Sequence, residues 1–270
     1  MPYVNIMDKN IYYKVYGEGE SIVFLNGMMM ATNSWSPFIK DVTKDFKMIT
    51  VDLLDQGKSD SFEGFYNIET QSDFLKRFLD EIQIERAHLV GMSYGGKVAL
   101  TFASKYEYKV RSLILSNTAS FTTNILREIG KGWGYAASTL DVDVFSSVVL
   151  PYMYSYKYYE KNYNYIKKMK KALSKTLNLE WYEKFIRGLQ SMSDYNVHNR
   201  IKDIKVPTLI ISSELDILMP VKYQYLIHRE IENSKWIILK EVGHASMYEK
   251  PGEYISTVME FLMEQTREKV

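Results

Sequence analysis

The sequence predicts an α/β fold, with a mostly parallel central sheet flanked by helices and a helical insertion after the sixth strand. Three observations predict it. Short apolar stretches alternate with helix-like stretches over residues 1–120 and again over 201–270, the pattern of parallel strands joined by crossover helices. The pentapeptide Gly91-Met92-Ser93-Tyr94-Gly95 stands between an apolar strand-like run and a helix-like run, and a strand–turn–helix junction is the setting in which that motif carries meaning. From about Phe121 to Arg200 the alternation stops, and an aromatic, lysine-rich stretch replaces it.

The elements follow in order. Residues 3–7 and 11–16 read as an antiparallel pair joined around Asp8-Lys9-Asn10. The turn Gly17-Glu18-Gly19-Glu20 leads into an apolar strand over 21–25. A helix is expected over 35–43 and a strand over 47–51. Residues 68–82 carry Phe74, Leu75, Phe78, Leu79 and Ile82 at helical spacing. Ala87-His88-Leu89-Val90 then forms the strand before the pentapeptide, residues 96–103 form the helix after it, and 110–115 form the sixth strand. The stretch 121–200 reads as helical, with breaks expected at Gly130 to Gly134 and at Pro151. Strands over 206–213 and 235–239 complete the sheet. The chain thus divides into a core (1–120), a helical cap (121–200) and the rest of the core (201–270). An insertion at this point lies over the C-terminal edge of the sheet, where such sheets bind ligands.

Bulk properties narrow the function. A chain of 270 residues can bury one sizeable core. A formal net charge of +1 sets up no field favouring nucleic acid. Cysteine is absent, which removes disulfides, thiolate metal sites and catalytic thiols. No metal and no cofactor is expected. Residues 1–14 lack a charged region followed by an apolar run, and no stretch approaches the roughly 18 apolar residues of a membrane span. The expectation is a cytoplasmic enzyme acting on a small molecule, with no nucleic-acid partner and no integral membrane segment; the oligomeric state stays open.

The pentapeptide is a turn so tight that flanking side chains would collide, which accounts for Gly91 and Gly95. It holds the Ser93 hydroxyl clear of the backbone. A base and an acid follow at suitable places. The strand over 206–213 ends in Glu214-Leu215-Asp216, and the strand over 235–239 leads into Val242-Gly243-His244. The order Ser93, Asp216, His244 is one of the known orders of a nucleophile–acid–base set. Other readings exist for each. Asp216 also suits a cap for the helix after it, and Glu214 is the rival acid. Of the other histidines, His88 sits within a strand, His198 in a polar stretch and His228 on an amphipathic helix. Only His244 stands in a loop after a late strand.

On these residues the chain resembles the α/β-hydrolase fold superfamily, in the subgroup with a single helical cap, over nearly its whole length. Ile22-Val23-Phe24-Leu25-Asn26-Gly27-Met28 is similar to the family's strand ending in His-Gly, and Val51 to Asp60 to its Asp-x-x-Gly-x-Gly-x-Ser loop. Asn26 replaces the common histidine, and Asp55 with Gln56 replaces the common Gly-His pair. The resemblance implies a serine hydrolase that cleaves an ester or thioester through an acyl-enzyme. It also implies an oxyanion hole made by the backbone N–H groups of Met28 and Tyr94. Met28, Met29, Met30, Trp35, Tyr94 and the cap aromatics Trp133 and Tyr154 are the candidate pocket residues. Consecutive methionines give a pliable apolar wall, which favours an acyl chain over a sugar or peptide. Asn26 to Thr32 is also similar to an Asn-Gly-x-x-x-Ala-Thr stretch in the acyl synthase group that makes the lipid precursor of rhamnolipids. That keeps acyl transfer to an acceptor other than water open, beside carbon–carbon bond hydrolysis, cofactor-free peroxidase chemistry and non-catalytic ligand binding. Epoxide hydrolysis and dehalogenation are disfavoured, because they need a carboxylate where Ser93 stands.

Overall fold

Eight strands form one sheet in the order β1-β2-β4-β3-β5-β6-β7-β8. The computed structural model describes residues 2–267; residue 1 and residues 268–270, the outer bounds of the two expected core segments, lie outside the described residues. β1 (Tyr3–Ile6) and β2 (Lys9–Tyr16) form a hairpin turned by Met7 and Asp8, whose φ values are 51° and 61°. Then follow β3 (Glu20–Leu25), α1 (Ile39–Val42), β4 (Phe46–Val51), α2 (Ile68–Glu81), β5 (Ala87–Met92), α3 (Tyr94–Tyr106) and β6 (Val110–Ser116). Only the β1–β2 and β2–β4 pairs are antiparallel; every later pairing is parallel.

The inner parallel strands are mostly apolar because both faces of the sheet are covered, whereas the edge strand β8 alternates half-buried and exposed residues. Successive side chains alternate between the two layers. Val23 and Leu25 of β3 pack with Leu75, Phe78 and Leu79 of α2 and with Val98 and Phe102 of α3. Ile22 and Phe24 pack on the other face with Trp35, Phe38, Tyr254 and Phe261.

Between β6 and the next strand come α4 (Asn124–Ser138), α5 (Val142–Met153), α6 (Tyr156–Lys161), α7 (Tyr163–Leu173) and α8 (Leu179–Ser191). They enclose an apolar cluster of their own, in which Phe145 meets Trp181, Tyr182 and Phe185 edge-on. The sheet resumes with β7 (Thr208–Ser213), α9 (Val221–Glu230) and β8 (Ser234–Leu239), and α10 (Ser246–Glu249) and α11 (Pro251–Arg267) follow. Among the described residues no helix is long and apolar enough to cross a membrane.

Three local expectations are corrected. The helix expected over 35–43 is a 3-10 turn over Thr32–Phe38 followed by the short α1. The turn begins at Thr32, three residues earlier than expected, and Pro37 has no N–H to bond the Asn33 carbonyl, so an α-helical ladder from Thr32 is interrupted there. The break expected at Gly130 to Gly134 is absent, and α4 runs through all three glycines. Each glycine costs roughly 1 kcal/mol relative to alanine, but α4 buries Leu126, Trp133, Ala136 and Ala137. A Cβ at Gly130 or Gly134 would stand about 4 Å from the Leu189 methyl groups of α8, an ordinary contact, so the packing of α4 on α8 carries the helix through these positions without requiring glycine at them. Pro151 does not break α5 but sits within its last turn.

Candidate active site

Ser93 is the residue between β5 and α3, with φ 51° and ψ −108°. A non-glycine residue there carries strain on the order of 1–3 kcal/mol, borne only where the surroundings enforce it. They do so here. Ser93 N–H donates to the Ser116 carbonyl (2.9 Å), and its own carbonyl accepts from Thr118 Oγ1 (2.8 Å) and from Lys97 N–H (3.1 Å). A Cβ on Gly91 would stand 2.5 Å from the Gly95 carbonyl oxygen, and one on Gly95 only 2.2 Å from that of Leu25. Both obstacles are backbone, of α3 in one case and of β3 in the other, so neither glycine can be replaced without moving main chain.

The loops after β7 and β8 bring the other two groups to this turn. His244 Nε2 lies 2.9 Å from Ser93 Oγ, and His244 Nδ1 lies 2.7 Å from Asp216 Oδ2. All three residues are buried. An ionised carboxylate can only accept, so it assigns the proton to Nδ1 and leaves Nε2 free to accept from the serine hydroxyl. The other oxygen of Asp216 accepts from Leu218 N–H (2.9 Å) and Met219 N–H (2.8 Å). Of the two sequence readings of Asp216, the partner of the histidine is the one the geometry shows; Oδ1 holds the bend at Leu218 and Met219, while α9 begins later, at Val221, with Pro220 at its N-cap. Glu214 turns outward instead, toward Lys240 and the Glu241 N–H. The remaining histidines lie elsewhere: His88 between Ser112 and Glu20, His198 on Ser120 and His228 on Ser234.

The loop after β3 is fixed from below. Asn26 Nδ2 donates to the Val51 carbonyl and to Asp52 Oδ1, while its Oδ1 accepts from Trp35 Nε1 at 2.8 Å. The buried Asp52 also accepts from Thr32 N–H (2.7 Å) and Lys58 N–H (3.0 Å). Burial pushes its carboxyl above the usual range even so. The unusual Asp55 makes a two-pronged pair with Arg187 of α8, at 3.0 and 2.8 Å, joining the core loop to the helical insertion. Tyr94 N–H stands at the first position of α3, where no intrahelical acceptor exists.

Ser93 and His244 open on a cavity of about 790 Å³ between the sheet edge and α4–α8, within the size range of small-molecule sites. Nine of the chain's fourteen methionines line it, Met28, Met29 and Met30 among them. Trp133 and Tyr154 line it too. Two expected pocket residues do not. Trp35 is fully buried in the core, committed to Asn26 and to the ring of Phe24. The Tyr94 ring points away, with its hydroxyl on Gln71 and Ser191, and burial pushes that phenol up to about 12. Among the described residues no group of three or more His, Asp or Glu is placed to hold a metal ion.

Several participants carry no sequence signature. Asn117, just after β6, donates from Nδ2 to the His244 carbonyl (2.7 Å) and to Ser213 Oγ. Glu249 accepts from Gly243 N–H, Ser155 N–H and Ser155 Oγ, and Ala245 N–H donates to the Met153 carbonyl. The loop that holds His244 is therefore tied directly to the α5–α6 junction. Strand-end and loop polar residues have no periodicity, so only the fold reveals them.

A family model described as the alpha/beta hydrolase fold matches residues 20–251. The chain is similar to a putative carbamate hydrolase, RutD, of Pantoea ananatis, at 22% identity over 260 residues and 94% of each chain. It is similar to the solved structure of an alpha/beta hydrolase enzyme from a Medee basin deep-sea metagenome library, at 33% identity, TM-score 0.94 and 96% of each chain. The enol-lactonase of Burkholderia xenovorans shares the fold at 22% identity and TM-score 0.88, with 97% of this chain and 100% of that one covered. The match spans most of the chain, from β3 into the start of α11, and takes in the turn at Ser93 and both late loops, so the chain belongs to the alpha/beta hydrolase fold family.

Proposed function

We propose that the protein is a serine hydrolase that cleaves a carboxylic ester or thioester through an acyl-enzyme on Ser93. The observation that carries this reading is the unbroken hydrogen-bonded line Ser93–His244–Asp216 opening on a methionine-lined cavity. A serine hydroxyl is a weak nucleophile at neutral pH. As Oγ attacks the acyl carbon, His244 Nε2 takes its proton and then delivers it to the leaving group. Asp216 holds the imidazole in the required tautomer and stabilises the imidazolium. The N–H groups of Met28 and Tyr94 receive the developing oxyanion, and losing one such donor costs on the order of 3 kcal/mol. Water, activated by the same His244, then releases the acid.

In this reading helices α4–α8 act as a cap that contributes much of the acyl pocket. Hydrolysis of p-nitrophenyl esters from acetate to octanoate tests it. The intact protein is expected to gain kcat/KM with chain length as methylenes enter the methionine wall. In Trp133→Ala and Tyr154→Ala the loss should grow with chain length, approaching about 0.8 kcal/mol for each methylene that loses contact. Equal losses on acetate and octanoate would place the acyl chain elsewhere. No hydrolysis of any ester by a folded sample would remove the reading itself.

A further inference from the structure

Lys97 is a buried lysine without a carboxylate partner, and it lines the cavity that Ser93 opens on. It sits on α3 one helical turn after Ser93, its N–H bonded to the Ser93 carbonyl. Its Nζ makes one hydrogen bond, to Thr122 Oγ1 at 3.2 Å, and lies 4.8 Å from the centre of the Tyr195 ring. An ammonium has three N–H groups to place, and a buried one left unpaired is costly. Burial alone lowers this amine to about 7. The inner face of the helical insertion adds a second cation. Arg127 of α4 also lines the cavity, and its Nε donates to the Ser193 carbonyl. Thr122, the partner of Lys97, donates to the adjacent carbonyl of Met192. Both cations are therefore moored to the same two-residue stretch after α8. Lys131 lines the cavity as well but is ion-paired with Glu128 at 2.7 Å, and among the described residues no Asp or Glu lines it.

A wholly apolar ligand gives no reason to bury an ammonium beside the nucleophile. An acyl substrate with an anionic end does. We propose that Lys97, with Arg127 beside it, binds a carboxylate of the substrate, so that the preferred substrates are esters or thioesters that also carry a free carboxylate. Lys97 follows Ser93 by one turn, about 5.4 Å along α3, and half-esters of six-carbon dicarboxylic acids, with four methylenes between the two carbonyl carbons, serve as the probe. The inference rests on the reading of Ser93 as the nucleophile for its kinetic arm alone.

The test compares a carboxylated ligand with its neutral match. In the kinetic arm, kcat/KM is measured for mono-4-nitrophenyl adipate and for 4-nitrophenyl hexanoate. In the binding arm, monomethyl adipate and methyl hexanoate are titrated by calorimetry into Ser93→Ala protein, where no turnover is needed. The intact chain is expected to favour the carboxylated partner. Lys97→Met should lower that preference by about tenfold or more, the scale of a charge-assisted hydrogen bond, and Lys97→Arg should restore part of it. Arg127→Gln, a change on the partly exposed inner side of α4, should lower the preference about threefold and is independent of any packing defect at position 97. A preference unchanged in both Lys97→Met and Arg127→Gln overturns the proposal, as does the absence of any preference in the intact chain. If binding discriminates while no ester is hydrolysed, the carboxylate site stands and the hydrolytic reading falls.

Discussion

Ser93→Ala should lose at least about 10³-fold in kcat/KM on any ester the intact protein cleaves, because the members of such a set act as a unit. Its stability should change by no more than about 1 kcal/mol, the scale of one hydrogen bond. The strained turn is enforced by the Gly91 and Gly95 contacts and by Thr118, none of which the hydroxyl takes part in. Thermal unfolding beside an initial-rate assay reads both outcomes. A well-folded variant with ordinary turnover would remove Ser93 from the chemistry.

The second large effect is expected at Asp216. In Asp216→Asn the amide must serve two neighbours. The Leu218 and Met219 N–H groups require an oxygen at the position of Oδ1. The NH2 group is thereby turned toward His244 Nδ1, where it can only donate. The imidazole is forced to carry its proton on Nε2, and the serine loses its acceptor. The expected cost is up to about 10⁴ in kcat, with the hydrogen bonds to the Leu218 and Met219 N–H groups largely kept. Glu214→Gln, two residues away on the surface side of the same loop, should change kcat less than about threefold. The reverse ranking would make Glu214 the acid.

The sheet was legible because its strands are mostly apolar runs bounded by turns, as in residues 22–25 and 87–90. The three residues of the line were legible because a constrained turn, a strand-end acid and a late loop histidine each need a particular local setting, and the sequence displays all three. Other features depend on partners remote in sequence. Trp35 reads equally well as pocket or core until its indole N–H is seen on Asn26. The run Gly130 to Gly134 reads as a break until α8 is found packed against it. Asn117 and Glu249 act on the His244 loop from 127 and 6 residues away along the chain, through Nδ2 to the His244 carbonyl and through Oε1 to the Gly243 N–H. Lys97 looks like an ordinary helical lysine, and only its burial beside the cavity distinguishes it.

The central claim is that the fold activates one serine. Its most direct measurement is covalent labelling with a fluorophosphonate, which phosphonylates a serine only when an adjacent base removes its proton. Peptide mass spectrometry then locates the adduct. The account expects one adduct per chain, on the peptide holding Ser93, with labelling slowed by orders of magnitude in His244→Ala and Asp216→Asn and unaffected in Glu214→Gln. A folded protein that takes up no label, or one labelled on a serine other than Ser93, would contradict it.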